Sequence, residues 1–234
     1  MASGVSAGHL LVATGFHREA RIVAQPGVVV VAGGGVEAEL EERLEAQAKG
    51  AIGIASFGLA GALRDGLDIG DWVVATGLAG AVNAETDPAW RDAALARLPG
   101  ARPGIAYADG RMIDSIAEKR RLGTEADASI VDMESHIAAR VAQRHGLPFA
   151  VIRCVSDRVD HMLPHAITVS MRPGGAIDGW AMLGSLLRRP GQLADLLVTM
   201  VHAGRAFRAL SHGNGVLEPG LGFPAFAKNE LLNA

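Results

Sequence analysis

Two acidic residues in the second half of the sequence each follow an apolar run of strand length. Glu134 ends one such run, Asp157 follows the run 149–155, and the amphipathic stretch 135–145 lies between them. This spacing predicts a strand–helix–strand unit with parallel strands, which places both carboxylates at one edge of a sheet. Two carboxylates in one cleft suit general acid catalysis on a polar bond. The spacing fits structural roles equally well, with Glu134 complementing the helix dipole and Asp157 capping the next element.

Apolar runs recur along the chain and alternate with helical stretches, which is the pattern of an α/β fold. We expect a single domain with three layers, α/β/α, and a central mixed β-sheet. This domain covers residues 1–210, and 211–234, rich in Gly, forms an irregular C-terminal tail. Asp109-Gly110 predicts an antiparallel hairpin within 103–115. The expected strands are 10–13, 28–32, 52–55, 72–76, 130–133 and 149–155, and the expected helices are 37–49, 89–98, 135–145, 179–187 and 192–210.

Composition excludes several classes of protein. The chain has 22 Lys and Arg against 25 Asp and Glu, too balanced for a protein that neutralises many nucleic-acid phosphates, so we expect no nucleic-acid partner. The single cysteine, Cys154, lies in an apolar run, which favours a buried, inert thiol and a reducing compartment. The run 9–14 is too short for a signal peptide or a membrane span, which indicates the cytoplasm. Charges within 192–210 argue against a span there and leave peripheral membrane contact open.

Several motifs resemble the nucleoside phosphorylase superfamily, which includes purine nucleoside phosphorylases and methylthioadenosine/S-adenosylhomocysteine nucleosidases. They are VDMES at 131–135, LPFAVIRCVSD at 147–157, ATGFHREA at 13–20, SFGLAGAL at 56–63 and LDIGDWVV at 67–74. Within the superfamily, EARI at 19–22, SFGLAG at 56–61 and the pair Leu163-Pro164 look most like the hopanoid-associated phosphorylases, whose substrate class is adenosylhopane. The resemblance spans roughly residues 9–210. It implies an enzyme that cleaves the N-glycosidic bond of a 5′-substituted adenosine, preferably by phosphorolysis of adenosylhopane in hopanoid biosynthesis.

The resemblance also implies catalytic roles. Asp157 would act as the general acid beside purine N7, and Ser156 would hold its carboxyl group. Glu134 would accept hydrogen bonds from the ribose hydroxyls as positive charge develops on the sugar, and Met133 would lie against the sugar face. Glu19, in the turn after the first strand, would lie near the nucleophile.

The basic character of that turn favours a phosphate dianion over water as the nucleophile. We expect Gly15, Arg18, Ser56 and Gly58 to bind phosphate, because backbone N–H groups of glycine loops and arginine side chains are strong phosphate donors. Arg18 and Arg21 could equally be exposed helix charges.

Apolar residues near the acids could receive the base or the 5′-substituent. Phe57 and Met162 are candidate substrate contacts, although ordinary core packing explains such residues equally well. Arg64 and Arg153 are weaker phosphate candidates.

Three other functions fit the same motifs. They are hydrolysis by a methylthioadenosine/S-adenosylhomocysteine nucleosidase, in which Glu19 orients water, general purine nucleoside phosphorolysis, and nucleoside or lipid sensing without turnover. The combination of Glu134, Ser156 and Asp157 argues against a sensor, which needs no general acid. The resemblance implies no metal and no organic cofactor, with inorganic phosphate as co-substrate. The expected partners are a small-molecule nucleoside, lipid-linked in the preferred hypothesis, and further copies of the chain in a homo-oligomer.

Overall fold

A computed structural model describes residues 8–33, 35–162, 164, 167, 169, 184, 185 and 187–226. The strands are β1 His9–Thr14, β2 Val28–Ala32, β3 Ala51–Ala62, β4 Trp72–Gly80, β5 Ala84–Glu85, β6 Arg102–Ala108, β7 Ala128–Asp132 and β8 Phe149–Asp157. The α-helices are α1 His17–Val23, α2 Glu37–Ala48, α3 Pro88–Arg97, α4 Ile116–Glu125, α5 Ser135–His145 and α6 Leu193–Leu217, and short 3₁₀ turns cover Pro190–Gln192 and Gly220–Gly222.

The strands form one mixed sheet in the order β2-β1-β3-β7-β6-β4-β5, with β8 paired to both β3 and β4. Because β8 joins these two strands, β3, β7, β6, β4 and β8 form a closed ring. The pairs β3–β7, β4–β8 and β4–β5 are antiparallel, and the other pairs are parallel. The predicted α/β class with a mixed central sheet is confirmed.

Side-chain alternation along the strands builds the two faces of the sheet. In β1, Leu11 and Ala13 join the core under α2 and α5. Leu10 and Val12 join a second core, to which α1, α3 and α6 contribute. Helices therefore cover both faces, and the predicted three-layer arrangement is confirmed.

The predicted parallel pairing of the strands before Glu134 and Asp157 is wrong. β7 runs antiparallel to β3 and β8 runs parallel to it, so β7 and β8 run in opposite directions. The cause is the length of β3, whose 12 residues reach past β1 and leave an end for β7 to pair with. Gly61 in that end pairs with Val131 on one side and with Asp157 on the other. The ends of β7 and β8 therefore still meet beside β3.

The hairpin predicted at Asp109-Gly110 is also wrong. β6 already pairs with β4 along one edge and with β7 along the other, so a returning strand has no free edge to pair with. Asp109 instead accepts hydrogen bonds from the Tyr107 hydroxyl at 3.0 Å and from the Arg111 backbone N–H at 3.1 Å. The Asp109-Gly110 turn therefore follows the end of β6 without starting an antiparallel partner strand.

Local sequence signals predicted three helices well. Asp87 accepts the backbone N–H of Trp90 at 2.8 Å, with Pro88 opening α3, and Gly146 ends α5 with a left-handed backbone (φ 61°). Helix α2 also begins where expected. Helix α4 was not predicted, and α1 was expected only in the alternative in which Arg18 and Arg21 are exposed helix charges. Most of the helix predicted for 179–187 lies outside the described residues.

The C-terminal segment is not an irregular tail from residue 211. Helix α6 continues to Leu217, and Leu221, Phe223 and Phe226 are buried in the core. The indole N–H of Trp90 donates to the Leu221 carbonyl at 2.9 Å, and the Phe223 ring lies 4.3 Å from the Trp90 ring. Isolated glycines did not end the helix, because tertiary packing outweighs a propensity cost of about 1 kcal/mol each. Residues 227–234 are outside the described part of the chain.

Helix α6 exposes apolar side chains near its start. Leu193, Leu197, Met200 and Val201 are each more than half exposed. In the described part of the chain, no helix is both long enough and apolar enough to cross a membrane. Peripheral membrane contact, homo-oligomer formation and a cytoplasmic location stay predictions.

Candidate active site

A buried arginine organises the acidic residues beside β3. Nη2 of Arg153 lies 2.6 Å from the Ser56 hydroxyl, 3.0 Å from Oδ1 of Asp132 and 3.4 Å from Oε2 of Glu134. The Arg153 side chain is 1% exposed, and a cation withdrawn from water to this extent requires carboxylate partners. Arg153 was a weak phosphate candidate from the sequence, and the structure pairs it with protein carboxylates.

Asp132 fixes the start of α5 and thereby the position of Glu134. Its Oδ1 accepts the backbone N–H groups of Glu134 at 2.9 Å and Ser135 at 2.7 Å. Its Oδ2 accepts the Ser135 hydroxyl at 2.6 Å. Sequence reasoning assigned Asp132 no role, although an aspartate just before a helix is a recognisable capping signal.

The Glu134 carboxyl group lies against the turn after β1. A β-carbon at Gly15 would be 2.8 Å from Oε1 of Glu134, so a larger residue at position 15 would require this carboxyl group to move. Burial raises the pKa of Glu134 to about 7, with Asp132 and Glu19 adding to the rise and Arg153 opposing it. The side chain keeps 13% exposure. Glu134 can therefore be reached from solvent and changes charge near neutral pH.

Glu19 is fully buried in the first turn of α1. Its carboxylate accepts the backbone N–H groups of Gly15, Phe16 and Leu59, each at 2.8 Å. A β-carbon at Gly58, where φ is 150°, would lie 2.6 Å from Oε1 of Glu19. Burial raises the pKa of Glu19, while Arg153 and the three N–H donors partly offset the rise. Glu19 is thus a buried acid held in place by three backbone donors.

The predicted phosphate-binding residues are only partly brought together. Gly15, Ser56 and Gly58 lie near one another, but Gly15 and Gly58 face Glu19, and the Ser56 hydroxyl bonds to Arg153. Arg18 is exposed and stacks on Phe207, with 4.1 Å between its Cζ and the ring centroid. Ser56 and Gly58, which we expected to bind phosphate as part of a glycine loop, lie within strand β3.

A bulge at the end of β8 positions Asp157. Ala60 pairs with Val155 but Gly61 pairs with Asp157, so Ser156 is the extra residue. Bulges of this kind redirect the following side chain and occur next to active sites. The Ser156 hydroxyl lies 2.7 Å from Oδ1 of Asp157 and 3.2 Å from the Ala60 carbonyl. The predicted pair of Ser156 and Asp157 is thus held as one unit.

The predicted substrate contacts differ in exposure. Met133 is half-buried next to Glu134 in the chain. Phe57 is fully buried, with its ring centroid 6.0 Å from that of Trp72, and it packs in the core. Met162 is 62% exposed. Arg64 pairs with the exposed Asp127.

Sequence reasoning missed Lys119, which contacts Asp157. Its Nζ lies 2.5 Å from Oδ2 of Asp157. Ser115 and Glu118 form a capping pattern that marks the start of α4, because the Ser115 hydroxyl accepts the Glu118 N–H. This signal could have predicted the helix, but not the burial of Lys119.

The described residues also bear on metals and on thiol chemistry. Within them, no group of three or more His, Cys, Asp or Glu side chains is arranged to hold a metal ion. Burial raises the pKa of the Cys154 thiol to about 12, in line with the expected inert thiol.

A three-layer fold with a buried arginine and carboxyl groups gathered beside one strand defines an α/β protein with an acidic candidate active site. The chain belongs to the phosphorylase superfamily, whose family model it matches over residues 7–170. It is accordingly an enzyme that acts on N-ribosyl bonds.

Solved structures share the fold. One is an Asp-to-Asn mutant of the Helicobacter pylori 5′-methylthioadenosine/S-adenosylhomocysteine nucleosidase with 5′-methylthioadenosine in its active site. The two sequences are 16% identical, the match covers 91% of this chain and 99% of that chain, and the TM-score is 0.63. The S. pneumoniae nucleosidase with a transition-state inhibitor gives 16% identity, coverage of 90% and 100%, and a TM-score of 0.57. Futalosine hydrolase of Helicobacter pylori gives 19% identity, coverage of 83% and 97%, and a TM-score of 0.56. No curated protein matches the sequence.

Proposed function

We propose that the protein cleaves the N-glycosidic bond of a 5′-substituted adenosine and that its nucleophile is water. The observation that carries the choice of nucleophile is the environment of Glu19. Its carboxylate accepts hydrogen bonds from the backbone N–H groups of Gly15, Phe16 and Leu59, so these donors are not free to bind a phosphate. A phosphate dianion at the same place would also be repelled by Glu19, whereas water would not.

Asp157 supplies the proton to the departing base. Breaking the bond leaves an electron pair on adenine, and a proton delivered to N7 stabilises that charge. The Ser156 hydroxyl at 2.7 Å holds one oxygen of the Asp157 carboxyl group. A general acid of this kind contributes roughly 10²–10⁴-fold, or about 3–5 kcal/mol of barrier lowering.

Glu134 and Glu19 act on the sugar side. Ionised Glu134 accepts hydrogen bonds from the ribose hydroxyls and stabilises positive charge on the sugar, with Met133 against the sugar face. Glu19 orients the attacking water and takes its proton, which its raised pKa favours. The named activities of the structural neighbours, a nucleosidase and a futalosine hydrolase, are consistent with this hydrolytic chemistry.

The second candidate function is phosphorolysis of adenosylhopane, with inorganic phosphate as co-substrate. The short motifs EARI and Leu163-Pro164 favour it, as does Met162, which is 62% exposed and could contact a bulky apolar 5′-group. It requires Glu19 to be protonated or displaced when phosphate binds.

The test is chromatographic measurement of adenine release from methylthioadenosine, S-adenosylhomocysteine, adenosine and adenosylhopane, each with and without phosphate. We expect release from a 5′-substituted substrate at the same rate in phosphate-free buffer. Release that requires phosphate would overturn the assignment of water and support the second candidate. Nucleoside binding without adenine release from any substrate would instead support a sensor.

Asp157→Asn tests the general acid, with exposed Asp92→Asn as the matched control. We expect Asp157→Asn to lower adenine release by about 10²–10⁴-fold while nucleoside binding persists. The Asp-to-Asn mutant of the Helicobacter pylori nucleosidase that holds 5′-methylthioadenosine motivates this design. Equal losses in both variants would contradict the role of Asp157.

A further inference from the structure

Lys119 is a buried lysine whose ammonium group has three protein acceptors. Its side chain is 0% exposed. Nζ lies 2.5 Å from Oδ2 of Asp157, 3.0 Å from the Arg158 carbonyl and 2.9 Å from the His161 carbonyl. An ammonium group has three N–H donors, so these contacts use all of them. Burying a lysine is costly unless it is paired in this way, so the buried position of Lys119 depends on these three acceptors.

The packing of α4 fixes the place of Lys119. Ser115 caps the helix, and Leu122 packs into a small core with Leu63 and Ile113. A β-carbon at Gly123 would lie 2.4 Å from the Leu63 carbonyl oxygen, so the helix approaches the end of β3 as closely as glycine permits. Lys119 therefore reaches Asp157 from a rigid element rather than from a loop.

The Asp157 carboxyl group is held at both oxygens. Oδ1 lies 2.7 Å from the Ser156 hydroxyl, and Oδ2 faces Lys119. A β-carbon at Gly61 would be only 3.0 Å from Oδ2, so β3 closes a further side. The side chain of Asp157 retains 13% exposure, whereas that of Lys119 has none. A proton on Lys119 thus reaches a bound base only through Asp157.

We propose that Lys119 is a positioning residue that holds Asp157 in place and supplies, through Asp157, the proton taken up by the departing base. This inference rests on the proposed function. As the bond between the sugar C1′ and N9 breaks, its electron pair stays on adenine, Asp157 gives a proton to N7, and the Lys119 ammonium gives a proton to Asp157. Lys119 is left neutral. After adenine leaves, Asp157 accepts a proton from solvent and returns one to Lys119, while the proton of the attacking water leaves through Glu19.

The test compares Lys119→Met and Lys119→Arg with the wild type, using adenine release from the best substrate across pH. The matched control is Lys49→Met, which makes the same substitution at a lysine that is exposed. We expect Lys119→Met to lower kcat by about 10²-fold with little change in KM, and to change the shape of the pH profile. Lys119→Arg keeps the charge and should recover much of kcat and the original profile.

A double mutant distinguishes proton supply through Asp157 from a purely structural role of Lys119. If Lys119 acts through Asp157, Lys119→Met should have little further effect on kcat in the Asp157→Asn background. This double variant also removes both charges of the buried pair, so it tests the inference even where Lys119→Met alone does not fold.

Two results would overturn the inference while leaving the proposed function intact. One is a Lys119→Met enzyme with wild-type kcat and pH profile, and the other is an undiminished effect of Lys119→Met on kcat when Asp157 is already Asn. Absence of adenine release by the wild-type protein would instead overturn both proposals.

Discussion

Nη2 of Arg153 lies 3.4 Å from Oε2 of Glu134, and this contact joins a fully buried cation to an acid that solvent still reaches. Arg153 also bonds to Asp132 at 3.0 Å, which in turn caps the helix that begins after Glu134. The balance of buried charge, the start of α5 and the geometry of the site therefore depend on the same three residues, Arg153, Asp132 and Glu134. Changes at one of them should be measurable in both stability and activity.

The first prediction concerns the pH dependence of stability. Burial raises the pKa of Glu134 from 4.5 to about 7, so the folded protein binds this proton more tightly than the unfolded chain. Its contribution is fully present below about pH 4.5 and is lost as pH rises to about 7. Glutamine does not titrate, so Glu134→Gln should not show this loss. The difference in unfolding free energy between Glu134→Gln and wild type should therefore shift in favour of the variant by on the order of 3 kcal/mol as pH rises between these limits. Urea unfolding at pH 5 and pH 8 measures the difference, and exposed Glu42→Gln should show none of it.

The second prediction is that Arg153→Met strongly destabilises the protein. The change leaves Asp132 and Glu134 without their buried cation, and breaking a buried ion pair in this way costs about 3–5 kcal/mol. Urea unfolding should detect a loss of this size. Arg120→Met removes an arginine that is 50% exposed and paired with Asp65, so it should lower stability far less than Arg153→Met. Similar losses in the two variants would contradict the central role of Arg153.

The third prediction is that Gly15→Ala impairs activity more than folding. The new methyl group would lie 2.8 Å from Oε1 of Glu134 and would push the carboxyl group away from the sugar site. We expect kcat/KM for adenine release to fall by about 10²-fold, as for other small misplacements of catalytic groups. Gly204→Ala introduces the same methyl group where no atom lies within 4 Å and should leave activity unchanged. Wild-type activity in Gly15→Ala would argue against the proposed place of Glu134.

The fourth prediction tests the role of the C-terminal segment. Phe223 is 6% exposed and packs against Trp90, so Phe223→Ala should cost about 3–5 kcal/mol of unfolding free energy. Pro224→Ala alters an exposed neighbour and should have a small effect. Thermal and urea unfolding distinguish these outcomes. A neutral Phe223→Ala would mean that the segment is dispensable after all.

Local sequence patterns correctly predicted the helices and strands that are determined by neighbouring residues. Continuous apolar runs of strand length predicted β1 and β2, and Asp87-Pro88 predicted the start of α3 because a cap needs only residues within one turn. The motifs around Glu134, Ser156 and Asp157 indicated the superfamily. The hairpin at Asp109 and the early end of α6 were wrong, since a sheet partner or a packed core far along the chain outweighed the local signal.

The sequence by itself determined the α/β class, most strand positions and the acids at the centre of the site. Only the tertiary structure decided that the strands close into a ring, that Glu19 accepts the backbone N–H of Leu59, and that Lys119 faces Asp157. These contacts join residues 40 and 38 positions apart in the chain. Their formation depends on burial and on the loss of water from charged groups, which follow from the packing of whole elements and not from neighbouring residues.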